Sequence, residues 1–107
     1  MDPASLARRY YDALDDHEYD AFEEVLAADF VQRRPDRTFE DRESFVQFMR
    51  EDRPNPDTSH ELEAVISDGE RAAAHGRVLD GERVLFEFAD FFECADGQIV
   101  RLETYSR

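Results

Sequence analysis

Three Asp-Gly dipeptides constrain the second half of the chain more than any other feature. They separate four apolar segments, and they are Asp68-Gly69, Asp80-Gly81 and Asp96-Gly97. Asp-Gly favours the two-residue turn of a β-hairpin, because both of its residues tolerate a positive φ. The segment before the first dipeptide also alternates in the manner of a strand, with Leu62, Ala64 and Ile66 two residues apart. The sequence after Pro56 therefore predicts an antiparallel meander of four strands.

The first half of the chain carries three stretches with helical periodicity. Their apolar positions are, in order, Leu6, Tyr10, Ala13 and Leu14; Tyr19, Phe22, Val25 and Leu26; and Phe45, Phe48 and Met49. Asp2-Pro3 and Asp41 supply start signals for the first and third helices, and the second is predicted to end near Ala28. Residues 29–35 are predicted to form a short extended piece, because Pro35 disfavours a helix before it.

These patterns predict one α+β domain over residues 1–107. A chain of this length has room for a single core, and 41% hydrophobic residues with nine phenylalanines are enough to form it. Three N-terminal helices followed by a curved antiparallel sheet suggest a cone with the helices on its concave side.

The charged residues are unusual in kind as well as in number. The chain has 13 cationic side chains and 27 carboxylates, which gives a net charge of −14. Every one of the cations is arginine. An acidic surface of this kind without lysine is similar in composition to the proteins of salt-in halophiles, where molar salt screens the self-repulsion. The alternative is an acidic protein of an ordinary cytoplasm. Nucleic acid is not expected as a partner, because the arginines are interleaved with carboxylates and form no basic stripe.

The sequence offers no signal for a membrane, a metal or a cofactor. Its longest apolar run is Val25–Ala28, so no membrane span or signal peptide is expected, and we expect a cytoplasmic location. Cys94 is the only cysteine, and the three histidines lack metal-binding spacing. No glycine-rich phosphate loop is present. We expect neither a metal nor a cofactor.

Several short motifs together resemble a known superfamily. In chain order they are Arg9-Tyr10-Tyr11-Asp12-Ala13-Leu14-Asp15, Tyr19-Asp20-Ala21-Phe22, Ala28-Asp29-Phe30-Val31, Phe39-Glu40-Asp41-Arg42-Glu43, and Asp96-Gly97-Gln98-Ile99 before Tyr105. Their order and spacing resemble the nuclear transport factor 2-like (NTF2-like) superfamily, and within it the SnoaL-like branch of polyketide cyclases and relatives of ketosteroid isomerase. The resemblance implies a cystatin-like α+β cone with one apolar pocket, and it implies no particular reaction.

The resemblance to ketosteroid isomerase suggests two catalytic candidates. Tyr10 aligns with the tyrosine that donates to the steroid oxyanion, and Asp90 aligns with the protonated aspartate beside it. The aspartate that shuttles the proton would fall within Gln32, Arg33 and Arg34, and none of these is a carboxylate. Since Gln32 cannot accept a proton near neutral pH, we do not expect true isomerase activity.

Other residues complete the predicted pocket, each with a structural alternative. The expected ligand-binding residues are Gln32, Arg34, Phe88, Phe92, Leu102 and Thr104. Asp90 could instead serve in a structural hydrogen bond, Tyr10 could be a core tyrosine, and Arg34 could pair with Asp36 or Glu40 at the surface. Glu103 is an alternative acid/base, but strand alternation is expected to turn it away from the cone. His75 could be a pocket base, although a lone histidine in a sheet is more often packed or solvated.

Three functional hypotheses follow from the sequence. The first is an enzyme that acts on an apolar cyclic carbonyl compound, and the second is a non-catalytic ligand-binding module. The third is a dimerisation scaffold whose cone is filled by its own phenylalanines, and a pocket of about 300 Å³ or more would separate it from the other two. The aromatic segment from Arg83 to Cys94 has two apolar faces, which predicts a homodimer.

Overall fold

The computed structural model describes residues 1–107 and contains three α-helices and six strands. The helices are α1 (Pro3–Asp15), α2 (Phe22–Val25) and α3 (Arg42–Gln47), with a 3-10 turn at Tyr19–Ala21 and a π-helical turn at Phe48–Asp52. The strands are β1 (Leu26–Arg33), β2 (Thr38–Phe39), β3 (Ser59–Asp68), β4 (Arg71–Asp80), β5 (Arg83–Ala95) and β6 (Gln98–Ser106).

Side-chain caps set the starts of α1 and α3. Oδ1 of Asp2 accepts a hydrogen bond of 2.8 Å from the backbone N–H of Ser5. Oδ1 of Asp41 accepts one of 2.7 Å from the N–H of Ser44. Each cap satisfies a backbone donor that has no partner within its helix. No helix has the length and hydropathy of a membrane span.

The six strands form one curved sheet in the order β2-β1-β6-β5-β4-β3. The predicted meander corresponds to β3 through β6, and its three turns place Gly69, Gly81 and Gly97 at φ values of +61°, +62° and +77°. Glycine adopts this left-handed region without a steric cost, which explains the Asp-Gly pattern.

The sheet is larger than the four strands predicted from sequence. The second helix ends at Val25 and not near Ala28, because Leu26 already pairs with Ile99 as the first residue of β1. β1 runs parallel to β6 and carries Gln32 beside Leu102. The extended piece predicted after the second helix is thus an inner strand of the sheet, and it places Gln32 on the concave side.

The helices and the concave face of the sheet enclose a core rich in aromatic rings. Phe45 of α3 lies at its centre, with ring centroids 5.4 Å from Phe22 and Phe30 and 5.6 Å from Phe39. α1 lies across β5, so that the ring of Tyr10 is 5.7 Å from that of Phe92. The core therefore occupies one end of the cone and leaves the other end open.

Candidate functional site

The open end of the cone contains a cavity of about 420 Å³. Its walls come from α1, the end of β1 and the loop after it, the π-helical turn and the segment after it, and the strands β3 to β6. The lining residues include Tyr10, Leu14, Gln32, Arg34, Met49, Arg53, His60, Val78, Leu85, Phe86, Phe88, Asp90 and Thr104. The volume lies in the range of small-molecule sites. The phenylalanines therefore do not fill the cone, which removes the main argument for a pure scaffold.

Asp90 is the buried carboxyl of the cavity. It is 4% exposed, and its Oδ2 accepts a hydrogen bond of 2.6 Å from the hydroxyl of Tyr11. Burial raises the pKa of the carboxyl above its ordinary value, against the opposing effect of the nearby Thr104 and Tyr11 hydroxyls. Its second oxygen, Oδ1, has no hydrogen-bond partner in the protein. Oδ1 is therefore the oxygen of Asp90 that is left for a further hydrogen bond.

Gln32 and Thr104 continue this polar row across the sheet. Thr104 lies directly opposite Asp90 on the neighbouring strand, and its hydroxyl accepts a hydrogen bond of 2.9 Å from Nε2 of Gln32. The carbonyl oxygen Oε1 of Gln32 is buried without a partner. Buried polar atoms in proteins almost always have partners, so two unpartnered oxygens in one cavity indicate a place for water or ligand.

Tyr10 and Tyr11 have different contacts at the cavity. Tyr10 lines the cavity as expected, but the hydroxyl that binds Asp90 belongs to Tyr11. Burial, followed by the charge of Asp90, raises the pKa of the Tyr10 hydroxyl, which therefore stays protonated and can donate. The sequence did not single out Tyr11, because the periodicity that marked Leu6 and Tyr10 as core does not reveal that α1 is buried on the Tyr11 side as well.

Two arginines lie near the mouth of the cavity. Nε of Arg34 is 3.2 Å from Oδ1 of Asp36, so the predicted surface pair exists while Arg34 still lines the cavity. Arg53 donates to the hydroxyl of Tyr19 at 3.1 Å, and its Nε is buried without a partner. Both guanidinium groups can attract an anionic or electron-rich end of a ligand.

The aromatic and aliphatic candidates divide between the cavity and the core. Phe88 lines the cavity. Phe92 and Leu102 do not: they pair in register on β5 and β6 and are 1% and 0% exposed beneath α1. Alternation along β5 places Phe88, Asp90 and Phe92 on the same face, and only the position of α1 decides which of them a ligand can touch.

Other candidates from the sequence lie outside the cavity. Glu103 faces the outer side of the sheet as predicted, where it shares a groove with Phe91 and Arg101. His75 is exposed, with Nδ1 3.6 Å from a carboxylate oxygen of Glu63. Cys94 is buried, and burial raises the pKa of its thiol to about 11. No group of three or more His, Cys, Asp or Glu side chains is arranged to hold a metal ion.

His60 is a polar residue of the cavity wall that the sequence did not mark as part of a site. It follows the turn-forming stretch at the start of β3, where no local motif marks it as part of a site. The structure places its ring in the cavity wall, with Nδ1 2.6 Å from Oδ1 of Asp15 at the end of α1. Only the contact between two distant elements brings this pair together.

Comparison with known proteins identifies the family. The SnoaL-like domain matches residues 7–102, and the chain belongs to this family. Solved structures with the same fold include a protein from Kribbella flavida named as a ketosteroid isomerase, with a TM-score of 0.87 at 24% identity over 98% of this chain and 77% of that one. No curated protein matches the chain.

Two further structures show how varied the named activities on this fold are. IdmH of Streptomyces antibioticus, named as a polyketide cyclase, has a TM-score of 0.81 at 17% identity over 99% of this chain and 92% of that one. An LEH-like epoxide hydrolase of M. tuberculosis has a TM-score of 0.80 at 16% identity over 98% and 82%. At these identities the likeness establishes the NTF2-like fold and leaves the reaction open.

Proposed function

We propose that the protein binds an apolar cyclic carbonyl compound in the cavity and polarises its carbonyl group with Asp90. The observation that carries this proposal is the unpartnered Oδ1 of Asp90 in a cavity with apolar walls. Because Oδ2 already accepts from Tyr11, we expect a neutral carboxyl to carry its proton on Oδ1 and to donate it to a carbonyl oxygen. The hydroxyl of Tyr10 supplies a second donor in the same cavity.

The apolar walls favour a fused-ring ligand. Leu14, Met49, Val78, Leu85 and Phe86 line the cavity around the polar row, and two of them are adjacent in sequence. Leu85 and Phe86 both reach the cavity because the pairing of β4 with β5 passes from Val78↔Phe86 to Leu79↔Val84, which leaves Leu85 as an extra residue. Such a bulge redirects one side chain. The site thereby gains apolar surface that buries the rings of a ligand.

The reaction class that fits is polyketide cyclase-like or isomerase-like proton transfer next to the polarised carbonyl. Similar structures that carry these names support the class, and Asp90 supports it chemically, because a donor at the carbonyl oxygen stabilises the charge that develops there. The alternative is a binding module that holds the same compound without reaction. The resemblance favours this alternative, since the isomerase's proton-shuttling carboxylate would fall within Gln32, Arg33 and Arg34, and none of these is a carboxylate.

Ligand-induced stabilisation tests the binding step. The probes are 2-tetralone and 2-naphthol, a fused-ring ketone and a fused-ring phenol, in a thermal-shift titration in molar KCl. A ligand at 100 times its dissociation constant adds roughly 2.7 kcal/mol to the free energy of unfolding, which is easily detected. Asp90→Leu is expected to remove the shift. Asp90→Asn is expected to keep most of it, because an amide can accept from Tyr11 and donate to the ligand as a neutral carboxyl does.

Glu103→Gln is the matched control, because it removes a carboxylate from the outer face of the same sheet. It is expected to bind both probes as the unmodified protein does. No shift with either probe in the unmodified protein would overturn the proposal, and so would equal shifts in the unmodified protein and the folded Asp90→Leu variant.

We also propose that two copies associate through the outer face of the sheet. Phe91, Ile66 and Tyr105 are 52%, 68% and 54% exposed there, beside a groove of about 300 Å³. The groove contains the arginines Arg71 and Arg101 next to the carboxylates of Glu93 and Glu103. A twofold axis would let each copy place its arginines against the carboxylates of the other.

The acidic, lysine-free composition further supports a role in the cytoplasm of a salt-accumulating cell.

A further inference from the structure

We infer that His60, oriented by Asp15, is the proton acceptor of the cavity and removes a proton from the carbon next to the carbonyl of the bound compound. The inference rests on the proposed function, since it assigns the base to the site in which Asp90 polarises the carbonyl. It resolves a difficulty in the sequence, where the expected base position holds Gln32 and two arginines.

Asp15 holds His60 with both of its carboxylate oxygens. Oδ2 accepts a hydrogen bond of 2.9 Å from the backbone N–H of His60, and Oδ1 lies 2.6 Å from the ring nitrogen Nδ1. The side chains of His60 and Asp15 are only 14% and 21% exposed. Asp15 is the last residue of α1 and His60 is the second residue of β3, so the pair fastens the helix to the edge strand. Two contacts to one carboxylate fix the ring in position.

This arrangement sets the tautomer of the imidazole. A carboxylate next to Nδ1 requires a proton on that nitrogen, which leaves the lone pair of a neutral ring on Nε2. The ring lines the cavity, and Nε2 has no hydrogen-bond partner in the protein. A carboxylate that orients a histidine and stabilises its cationic form is the arrangement that general bases use in many unrelated enzymes.

The acid and the base are linked through the aromatic rings of Tyr11 and Phe88. The centroid of the His60 ring is 5.5 Å from that of Phe88, and 5.1 Å from that of Tyr11. Phe88 precedes Asp90 by two residues on the same face of β5, and Tyr11 donates to Asp90. A flat ketone that packs on Phe88 would lie next to His60, in the cavity that Asp90 also lines.

The proposed step is an enolisation. Nε2 of His60 forms a bond to the proton of the α-carbon, and the electrons of the broken C–H bond form a C=C bond to the carbonyl carbon. The electrons of the carbonyl π bond move to the oxygen, which Asp90 stabilises by donating from Oδ1. The resulting imidazolium is stabilised by the carboxylate of Asp15, and it returns its proton to carbon in the reverse step. No oxidant, reductant or other reactant is needed.

Hydrogen–deuterium exchange of 2-tetralone in D2O tests the base directly. The protons at C1 lie between the aromatic ring and the carbonyl, and their loss is followed by proton NMR. The unmodified protein is expected to accelerate the exchange above the buffer rate. His60→Gln is expected to lower that acceleration by about 10²-fold or more, as the loss of a general base does, while 2-tetralone still binds.

Two further variants separate catalysis from structure. Asp15→Asn should slow the exchange while retaining His60, because the amide no longer stabilises the imidazolium. His75→Gln is the control, since it removes an exposed histidine from the outer side of the sheet and should exchange at the unmodified rate. In the unmodified protein, the nitrogen-15 chemical shifts of the His60 ring should show a proton on Nδ1 and none on Nε2. This measurement requires neither catalytic activity nor a folded variant.

The outcomes are distinct for the two proposals. Failure of 2-tetralone and 2-naphthol to bind would overturn the proposed function, and the base assignment with it. Binding without accelerated exchange would overturn the base assignment alone and leave a binding module. Exchange that persists in a folded His60→Gln variant, or a His60 ring protonated on Nε2 and bare on Nδ1, would also overturn the assignment.

Discussion

The hydroxyl of Tyr11 on α1 lies 2.6 Å from Oδ2 of Asp90 on β5, across 79 positions of the chain. This hydrogen bond joins the helix to the sheet and occupies one oxygen of the only buried carboxyl group in the protein. It therefore decides which oxygen of Asp90 can meet a ligand. Burial, the charge of Asp90 and this hydrogen bond all raise the pKa of the Tyr11 hydroxyl, so that it acts as a donor throughout the ordinary pH range.

Removal of the Tyr11 hydroxyl is predicted to affect mainly stability, and removal of the Tyr10 hydroxyl is predicted to affect mainly ligand binding. Tyr11→Phe leaves Oδ2 of Asp90 buried without its donor and should lower the free energy of unfolding by about 1–3 kcal/mol. Tyr10→Phe should cost less stability, because its hydroxyl faces the cavity, and should weaken the binding of 2-naphthol more. Urea denaturation and calorimetric titration measure the two quantities. The reverse order in both measurements would mean that Tyr11, and not Tyr10, is the tyrosine that donates to the ligand.

The pH dependence of stability should reveal the neutral state of Asp90. Because burial raises its pKa, the folded state binds more protons than the unfolded chain at pH values above the ordinary carboxyl value of 3.8. The free energy of unfolding that Asp90 contributes therefore falls as the pH rises through that window. Asp90→Asn cannot titrate, so the stability of the variant minus that of the unmodified protein should grow with pH.

Urea denaturation at several pH values measures this difference. The capping carboxyls of Asp2 and Asp41 have pKa values lowered by hydrogen bonds from Ser5 and Ser44, and they destabilise the fold as the pH falls. They are present in both proteins and cancel in the comparison. A difference that stays constant across the range would mean that Asp90 is ionised in the fold.

Gly76 is predicted to tolerate no side chain. A Cβ at this position would collide with the backbone carbonyl of Glu61, next to the bulge between Leu62 and Ala64 on β3. Gly76→Ala should therefore destabilise the protein by about 1–3 kcal/mol, the usual range for an overpacked site. It should also weaken ligand binding, because β3 would have to move at a residue adjacent to His60.

Gly81→Asn provides the comparison for Gly76→Ala. Gly81 lies in a turn at positive φ, whereas Gly76 lies within β4. A side chain at Gly81 meets open space, and asparagine tolerates this conformation. Thermal unfolding should show a much smaller loss for Gly81→Asn than for Gly76→Ala. Equal losses of stability in the two variants would mean that β3 and β4 can accommodate a side chain at Gly76.

High salt is predicted to stabilise the fold. With a net charge of −14, carboxylates repel one another over the whole surface, and the screening length falls from about 10 Å at 0.1 M salt to about 3 Å at 1 M. The melting temperature at neutral pH should rise between 0.1 M and 3 M KCl. At a pH near the isoelectric point of 4.4 the rise should be much smaller, because the charge is neutralised. A flat curve at neutral pH would contradict the halophilic interpretation.

Association of two copies is predicted to depend on Phe91. Phe91→Glu places a charge in the middle of the exposed apolar surface on β5 and should convert a dimer into a monomer in light scattering. Phe91→Leu keeps the surface apolar and should remain dimeric. The unmodified protein should be dimeric in molar KCl at micromolar concentration, and a monomer under these conditions would exclude the dimer.

Local signals predicted most of the fold. The three Asp-Gly dipeptides correctly placed the turns of β3 to β6, because each turn is determined by two adjacent residues and their φ preferences. The parallel pairing of β1 with β6 was not predicted, since it joins Gln32 to Leu102 across most of the chain and leaves no local signature. Helix and strand periods cannot reveal a partner that is distant in sequence.

The site was predictable where it depended on strand alternation and not where it depended on packing between elements. Alternation placed Phe88, Asp90 and Phe92 on one face, but the position of α1 puts Phe92 in the core. Tyr11 and His60 acquire their roles from single contacts to Asp90 and Asp15, each made across two elements. Such contacts follow from the assembled core and not from any short stretch of residues.

Because one half of β5 lies in the core and the other half lines the cavity, mutations in the two halves should have different effects. Phe92 and Cys94 are committed to the interior, whereas the bulged pair Leu85 and Phe86 reaches the open end and is 37% and 41% exposed. Mutations at the bulge can alter the shape of the pocket without removing atoms from the centre of the domain. Evolution, or directed selection on these two positions, can therefore change which molecules fit the pocket while the core stays the same.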